Sequence, residues 1–208
     1  MRALTKLQEY RTFMTQAARE PNTVGAVLPT SRHVARAVAD VVPASGSPTV
    51  LELGPGTGAL SDALHQRIPA GSRHVAIEVD PELVRYLRSA KPWLDVLEGD
   101  ATYVRELLEP LGVTRVDAVI SSIPWTLLEP LKQREVLAAL GEVMAPTAVF
   151  TTVTYLTTLW RSNTIKFVDQ LHQAFEEVTP RAAVWRNVPP ARVYICRRPK
   201  AGLTPPRR

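Results

Sequence analysis

The sequence has very little cysteine and no long apolar run. Cys196 is the only cysteine among 208 residues, which excludes an internal disulfide or a cysteine-rich zinc site and suits a reducing cytosol. No run of about 18 consecutive apolar residues is present, and the first residues lack the continuous apolar core of a signal peptide. We therefore expect no metal, and only peripheral contact with any membrane.

Length and charge bound the remaining possibilities. With 208 residues, 45% of them hydrophobic, the chain suits one domain with a substantial core. The formal net charge of +5 and the pI near 9.7 favour polyanionic surroundings, either nucleic acid or an anionic membrane surface. We expect residues 199–208 to form a basic, disordered tail. Much of the basic excess lies near this end, at Arg197, Arg198, Lys200, Arg207 and Arg208.

A short apolar strand runs directly into a glycine-rich turn. Thr49–Leu53 is typical of a buried parallel strand, and helical spacing of apolar residues begins at Ala59. The turn between them contains Gly54, Gly56 and Gly58. Glycine permits positive φ and close approach of a ligand to the backbone. The G-x-G-x-G spacing differs from that of dinucleotide folds, and Glu52 would repel a pyrophosphate. The acid instead suits a positively charged nucleoside cofactor such as S-adenosylmethionine.

Two further strands end in acidic residues. Glu78 closes the strand His74–Asp80 and lies 24 positions after Gly54, close to the spacing at which an acid meets ribose hydroxyls. Leu94–Ala101 repeats the pattern, and Asp100 is placed to accept a hydrogen bond from an adenine amino group. A solvated strand end is the alternative for Glu78.

These three motifs, in this order, resemble the class I S-adenosylmethionine-dependent methyltransferases. The resemblance implies S-adenosylmethionine as cofactor, a glycine loop at 52–58, a ribose acid at Glu78 and an adenine loop at 99–101. The cofactor-binding residues that it implies are Glu52, Gly54, Gly56, Gly58, Glu78, Gly99, Asp100, Ala101 and Ser121.

Strands and helices alternate from residue 49 onward, which predicts an α/β fold with helices on both faces of a parallel sheet. Further strands are predicted at 116–120 and 148–153, and a helix at 128–142. Residues 181–185 and 192–196 flank Pro189 and Pro190, and this predicts an antiparallel hairpin. We expect a Rossmann-like methyltransferase domain over 21–198, with a seven-stranded, mostly parallel sheet closed by that C-terminal hairpin.

The first twenty residues predict an amphipathic helix. At 100° per residue one half is apolar, with Lys6 and Arg11 at its margins. The apolar half consists of Leu4, Leu7, Tyr10, Phe13, Met14, Ala17 and Ala18. An apolar arc edged by cations suits a helix for membrane association, although an ordinary helix packed on the domain has the same pattern.

The segment 121–125 follows the fourth strand, at the carboxyl end where open α/β sheets place ligands. It resembles the acceptor loop of amine methyltransferases. On that resemblance Ser122 and the Ile123 carbonyl accept hydrogen bonds from an amine and Pro124 fixes the turn. Trp125 would lie over the nitrogen and stabilise the ammonium by about 0.5 to 2 kcal/mol. Simple packing of Trp125 is the alternative. Candidate proton acceptors are Tyr10, His33 and Tyr155.

Two families share these motifs, the rRNA adenine dimethylases and the bacterial phospholipid N-methyltransferases. Ser122 stands where the rRNA enzymes usually have asparagine, and we expect the chain to end before their C-terminal RNA-binding domain. Segments 21–31 and 185–193 are similar to the phospholipid enzymes, and this resemblance covers residues 4–198. It implies a cytoplasmic enzyme on the inner face of the cell membrane that methylates phosphatidylethanolamine stepwise toward phosphatidylcholine.

The resemblance also implies contacts with the lipid. The headgroup would enter past Thr30, Ser31 and Tyr155, with Tyr10 nearby, and Arg192 would bind the lipid phosphate or flank the sheet. The expected partners are an anionic membrane surface and a phospholipid, and not nucleic acid. Methylation of rRNA or of a soluble amine remains the enzymatic alternative, and a noncatalytic lipid- or RNA-binding module is the other.

Overall fold

The computed structural model describes residues 32–187 and 189–200. The predicted helix at 1–20, the residues Tyr10, Thr30 and Ser31, and positions 201–208 of the predicted tail lie outside these ranges. The strands are β1 Thr49–Leu53, β2 Arg73–Glu78, β3 Asp95–Glu98, β4 Val116–Ser121, β5 Met144–Tyr155, β6 Phe175–Pro180 and β7 Ala191–Pro199. The α-helices are α1 Arg32–Ala39, α2 Ala59–His65, α3 Pro81–Ala90, α4 Val104–Leu108, α5 Pro130–Val143 and α6 Ser162–Ala174.

The seven strands form one sheet in the order β3-β2-β1-β4-β5-β7-β6. The strands β1 to β5 pair in parallel, whereas β7 is antiparallel to both of its neighbours. The chain builds outward from β1 to β3 and then returns to place β4 on the other side of β1. This confirms the predicted Rossmann-like sheet, and its switch point between β1 and β4 is where such folds bind ligands.

Helices cover both faces of the sheet, as predicted. Alternation along β1 sends Leu51 and Leu53 into a core with α4, α5 and α6, and Val50 into a core with α1 and α2. A third apolar cluster joins α3 to β2 and β3. Over the described ranges, none of the helices combines the length and the apolarity needed to cross a membrane.

The hairpin is present, but the prediction of its first strand at 181–185 was wrong. The partner of β7 is β6, and the described residues 181–187 and 189–190 connect the two strands, with a single bridge from Val184 to Ala191. The edge strand β6 contains two adjacent glutamates after a helix, a pattern that does not identify a strand. These glutamates pair with the end of β7, Glu177 with Arg197 at 3.2 Å and Glu176 with Arg198 at 2.8 Å. Arg197 and Arg198 therefore belong to the sheet, which extends to Pro199.

Candidate active site

A cavity lies where β1, β2, β3 and β4 end. It is lined by Gly54, Ile77, Glu78, Val79, Gly99, Asp100, Ala101, Ile123, Leu128, Lys132 and Val136. Five of the predicted cofactor residues are among them, because the carboxyl ends of parallel strands meet at one edge of the sheet. The loop after β4 and the helix α5 close the other side.

The three glycines of the turn after β1 differ in what a side chain would meet at each position. All three have positive φ, +67° at Gly54, +59° at Gly56 and +79° at Gly58. A Cβ on Gly54 would lie 3.4 Å from the Ile123 side chain, whereas a Cβ on Gly56 would meet nothing within 4 Å. A Cβ on Gly58 would lie 2.1 Å from Cε of Lys91. The space beside Gly56 is therefore open to a ligand, whereas Gly54 lies against Ile123 at the cavity wall and Gly58 is packed against Lys91.

The carboxylate of Glu78 connects the first two crossover loops. It lies at the end of β2 and accepts backbone N–H bonds from Gly56 at 3.1 Å, Val79 at 2.8 Å and Asp80 at 3.1 Å. Burial raises the pKa of Glu78 above its usual value, and the backbone donors oppose that rise. A buried carboxylate held in this way faces the cavity at the position expected for a ribose acid.

Asp100 is held by two neighbours, one of which the sequence did not indicate. Its Oδ1 accepts from the backbone N–H and the hydroxyl of Thr102, both at 2.9 Å, which caps a short 3₁₀ turn. Its Oδ2 lies 2.8 Å from Nζ of Lys132, a cavity-lining residue on α5. No local pattern relates Asp100 to Lys132, since only the packing of α5 on the 3₁₀ turn brings them together.

Glu52 does not line the cavity, although the sequence predicted contact with the cofactor. It alternates with Leu51 and Leu53 on β1 and so points to the opposite face of the sheet. Its Oε2 lies 3.1 Å from Nε2 of His74, and both side chains are buried. Within the described part of the chain, Oε1 of Glu52 has no hydrogen-bond partner. Its partner in this structure is thus His74.

The loop after β4 is fixed by backbone hydrogen bonds. The N–H of Ser122 donates to Leu53 at 2.9 Å, and the N–H of Trp125 donates to the Ile123 carbonyl at 2.8 Å. The fully buried Gln133 donates from Nε2 to the carbonyls of Trp125 at 2.7 Å and Leu128 at 3.2 Å. Because a carbonyl has two lone pairs, Ile123 retains one acceptor site next to the cavity.

Trp125 is placed differently from the prediction. Its side chain is 1% exposed and its ring stacks on Phe167, with centroids 4.7 Å apart and planes at 15°. Its Nε1 donates to Oγ of Ser121 at 2.9 Å. The apolar core between β5 and α6 takes up the indole, because that burial is worth more than exposure at the cavity. Pro124 begins the 3₁₀ turn that directs Trp125 inward. Trp125 and Ser121 thus secure the loop.

Tyr155 and Arg192 lie at the same edge of the sheet, but their side chains point to opposite faces, so the structure does not bring them together as the sequence predicted. Tyr155 ends β5, and Arg192 stands near the start of β7, opposite Thr154. Both side chains are half-buried. In the described residues Nε of Arg192 is buried without a hydrogen-bond partner. This Nε can donate to an anion that reaches it from the carboxyl edge of the sheet.

Comparisons with known proteins agree on the fold and the cofactor. The family described as ribosomal RNA adenine dimethylase matches residues 28–116. An ornithine lipid N-methyltransferase of Singulisphaera acidiphila is 26% identical over 194 residues, which are 92% of this chain and 97% of that protein. A ribosomal RNA small subunit methyltransferase A of Chlorobaculum parvum is 42% identical over 82 residues, 39% of this chain and 28% of that protein.

The solved structures include an O-methyltransferase of Bacillus cereus in complex with SAH. Its TM-score is 0.62 at 12% identity, over 91% of each chain. This likeness shows the fold. Together with the sequence relatives and the cavity described above, it supports a class I S-adenosylmethionine-dependent methyltransferase. The cofactor is S-adenosylmethionine, and the described residues fit it through the open glycine loop and the buried, preformed carboxylate of Glu78.

Proposed function

We propose that this methyltransferase modifies the headgroup amine of phosphatidylethanolamine and of its mono- and dimethylated forms, toward phosphatidylcholine. It would act as a peripheral protein on the cytoplasmic face of the cell membrane. One observation carries the proposal: the similarity to a lipid N-methyltransferase extends over 97% of that relative, whereas the rRNA methyltransferase from Chlorobaculum parvum is matched over 28% of its length.

The region matched by the rRNA dimethylase family ends before the acceptor. It stops at residue 116, so it contains the cofactor loops but neither the loop at 121–125 nor the C-terminal strands. The donor half of the fold serves methyltransferases with many acceptors, and fold likeness alone does not select among them. The lipid relative matches the acceptor half as well, and this favours a lipid amine.

The chemistry requires a neutral amine in line with the donor. S-adenosylmethionine supplies a methyl carbon that forms a bond to the amine nitrogen as the carbon–sulfur bond breaks, its electrons remaining on sulfur. An alkylamine resembles lysine, with a pKa of about 10.4, so it must lose a proton before attack. Ser122 and the second lone pair of the Ile123 carbonyl would orient the amine, and the cavity lined by Gly54 and Ile123 would hold it close to the methyl donor.

A phosphodiester acceptor also gives Arg192 a partner. A lipid headgroup carries a phosphate a few bonds from its amine, and the buried Nε of Arg192 has no hydrogen-bond partner in the described ranges. Tyr155 pairs with Ala191 and packs with it in the core on the other face of the sheet. We propose that Arg192 holds the phosphate while the amine reaches the acceptor loop. A soluble amine would leave the guanidinium unpaired.

An ornithine lipid is the second candidate acceptor, because the full-length relative is named for that substrate. It too presents an amine at a membrane surface. Its headgroup carries a free carboxylate where phosphatidylethanolamine has a phosphate, so Arg192 could pair with either lipid. Arg192→Gln should therefore lower methylation of both by on the order of tenfold, the loss of one charged hydrogen bond, and direct labelling of each lipid identifies the acceptor.

The test uses the full chain with methyl-labelled S-adenosylmethionine and three acceptors in separate reactions. These are vesicles containing phosphatidylethanolamine, vesicles containing an ornithine lipid, and 16S rRNA. We expect label in the phosphatidylethanolamine, and a much lower kcat in Ser122→Ala with unchanged cofactor affinity. Label in the ornithine lipid alone would show that an ornithine lipid, and not phosphatidylethanolamine, is the substrate. Label in RNA without any in lipid would overturn the proposal. Failure of the protein to bind S-adenosylmethionine in calorimetry would indicate a noncatalytic module.

A further inference from the structure

Two tryptophan–arginine pairs are exposed in the C-terminal half of the chain. Trp160, followed by Arg161, is 76% exposed, and Trp185, followed by Arg186, is 73% exposed. Tryptophan is highly buried on average, so two indoles exposed to this degree need an explanation. The other two tryptophans are not exposed, since Trp93 is half-buried and Trp125 is in the core.

The topology brings the two pairs to one edge of the sheet. Trp160 follows β5 and Trp185 follows β6, and these strands run parallel on either side of β7. Two strand spacings of about 4.8 Å and an offset of three residues along β7, from Ala191 to Tyr194, place the two strand ends roughly 14 Å apart. Their loops are also joined directly, because the N–H of Leu156 donates to the carbonyl of Pro190 at 2.8 Å. We name residues 156–166, 180–187 and 189–192 the Trp–Arg surface.

The Trp–Arg surface carries cations and no acids. Its charged residues are Arg161, Lys166, Arg181, Arg186 and Arg192, and none of these segments contains aspartate or glutamate. All of these except Arg192 are exposed. Ile165, on the first turn of α6, is also about half exposed. The surface thus combines two aromatic rings and an aliphatic side chain with four exposed positive charges.

We propose that the Trp–Arg surface docks on an anionic lipid bilayer, with Trp160 and Trp185 in the headgroup region and the arginines on lipid phosphates. This inference builds on the proposed function, since a lipid amine must reach the acceptor loop from the membrane. Indole rings favour the membrane interface, and each nearby arginine adds attraction to anionic lipid. An aliphatic Ile165 beside the rings gains contact with lipid chains, whereas it would gain nothing from stacking on RNA bases.

The position of the surface relative to the site supports this orientation. The carboxyl edge contains the loop after β4, the end of β5 and the start of β7, so the acceptor loop and Arg192 lie at the same edge of the sheet as the loops that carry Trp160 and Trp185. A headgroup could therefore pass from the bilayer to Arg192 without its acyl chains crossing water. Docking through any other edge would place the cavity away from the membrane.

The test measures binding of the full chain to vesicles of phosphatidylglycerol and phosphatidylcholine by co-sedimentation. Trp160→Ser/Trp185→Ser should weaken binding by on the order of tenfold per tryptophan, and should abolish quenching of tryptophan fluorescence by brominated lipid. Arg161→Gln/Arg186→Gln should weaken it about fivefold per arginine. The matched control is Arg85→Gln/Tyr86→Ser, an exposed arginine–tyrosine pair on α3, which should bind like the parent.

Three results would overturn the inference. Both double variants could bind vesicles as tightly as the parent, which would assign docking to another segment such as residues 1–31. The variants could lose binding to RNA while the parent ignores vesicles. Aqueous iodide could fail to quench Trp160 and Trp185 in the free protein, which would mean that the chain itself covers them.

Methyl transfer separates this inference from the proposed function. If the variants lose vesicle binding and the parent puts no methyl group on aminolipid, the result supports docking through the Trp–Arg surface and contradicts the proposed lipid substrate. If the parent methylates phosphatidylethanolamine and the variants bind and methylate equally well, the result supports the proposed substrate and contradicts docking through the Trp–Arg surface. All the substituted side chains are exposed, so we expect the thermal midpoints of the variants to match that of the parent.

Discussion

Replacing Gly58 by alanine should damage the fold, whereas replacing Gly56 in the same turn should damage the binding site. Gly58 has a φ of +79° at the N-cap of α2, and Lys91 and Leu87 pack against it. An added Cβ would lie 2.1 Å from Cε of Lys91 and 2.9 Å from the Leu87 side chain. Lys91 cannot move freely, because its side chain is buried and its Nζ lies 2.5 Å from Asp62.

The expected cost of Gly58→Ala has two parts. An alanine in the left-handed region costs about 1–2 kcal/mol, and overpacking a filled site adds about 1–3 kcal/mol. The sum of about 2–5 kcal/mol is a large part of the roughly 5–15 kcal/mol that stabilises an ordinary domain. At about 2–4 °C per kcal/mol for a chain of this size, the thermal midpoint should fall by roughly 4–20 °C.

Two other glycines separate these contributions. Gly46 is exposed, has a φ of +82° and has nothing within 4 Å of an added Cβ, so Gly46→Ala should cost only the backbone strain. Gly56→Ala has the same open surroundings but lies at the cofactor loop. Its stability loss should therefore match that of Gly46→Ala, while its affinity for S-adenosylmethionine falls.

Thermal unfolding and calorimetry on the three variants give the comparison. A double variant, Gly58→Ala with Lys91→Ala, should recover part of the loss, with a coupling of about 0.5–3 kcal/mol. The explanation fails if Gly58→Ala is no less stable than Gly46→Ala, or if the double variant shows the sum of the two single effects. It also fails if Gly56→Ala retains full cofactor affinity.

Three further predictions concern buried side chains. Burial raises the pKa of Glu78, so the folded protein holds a proton on this carboxyl more tightly than the unfolded chain does. The resulting contribution to folding stability is therefore present in acid and is lost as the pH rises through the folded pKa. Cofactor affinity, which needs the carboxylate, should instead fall as the pH is lowered through that pKa. Calorimetry should show this dependence in the parent and not in Glu78→Gln, which should also lose about 1.5–3 kcal/mol of binding. Trp125→Phe keeps a ring against Phe167 but loses the hydrogen bond to Ser121, so its free energy of unfolding in urea should fall by about 1 kcal/mol, in addition to any loss from the smaller ring. Trp125→Ala should lose about 3–5 kcal/mol. Burial raises the pKa of Cys196 to about 12, so iodoacetamide should label it at mildly alkaline pH only when denaturant opens the sheet, and rapid labelling of the native protein would contradict the core placement.

The parallel part of the fold followed from the sequence because each strand is an apolar run bounded by a turn. The strand β1 has the predicted limits, and the helix predicted at 128–142 is α5, Pro130–Val143. The edge strand β6 escaped prediction because only Phe175 among its six residues is buried. Its stabilising contacts are ion pairs with Arg197 and Arg198, some twenty residues away, and no local pattern records such contacts.

The site was predictable where a backbone conformation or a strand end defines it. Glycines at positive φ and Glu78 at the end of β2 belong to this class. Lys132 was missed because its partner, Asp100, is 32 positions away and meets it only through helix packing. The contact of Glu52 with the cofactor stays a prediction; strand alternation places its Oε2 beside His74, a contact that proximity to the turn did not indicate. The burial of Trp125 was left open because it depends on the packing of Phe167 from α6, more than forty residues away, which no local sequence pattern indicates.

The two hydrogen bonds from Gln133 have a consequence for how acceptor range can evolve. They hold the carbonyls of Trp125 and Leu128 from the core side, and Trp125 is itself anchored on Phe167. The course of the loop is therefore set by groups that no acceptor touches. The half-buried side chain of Ser122 can vary on this fixed frame, whereas that of Ile123 belongs to the core. One scaffold can in this way acquire a new acceptor through a substitution at Ser122, and a mutational library at this position is the economical place to look for altered specificity.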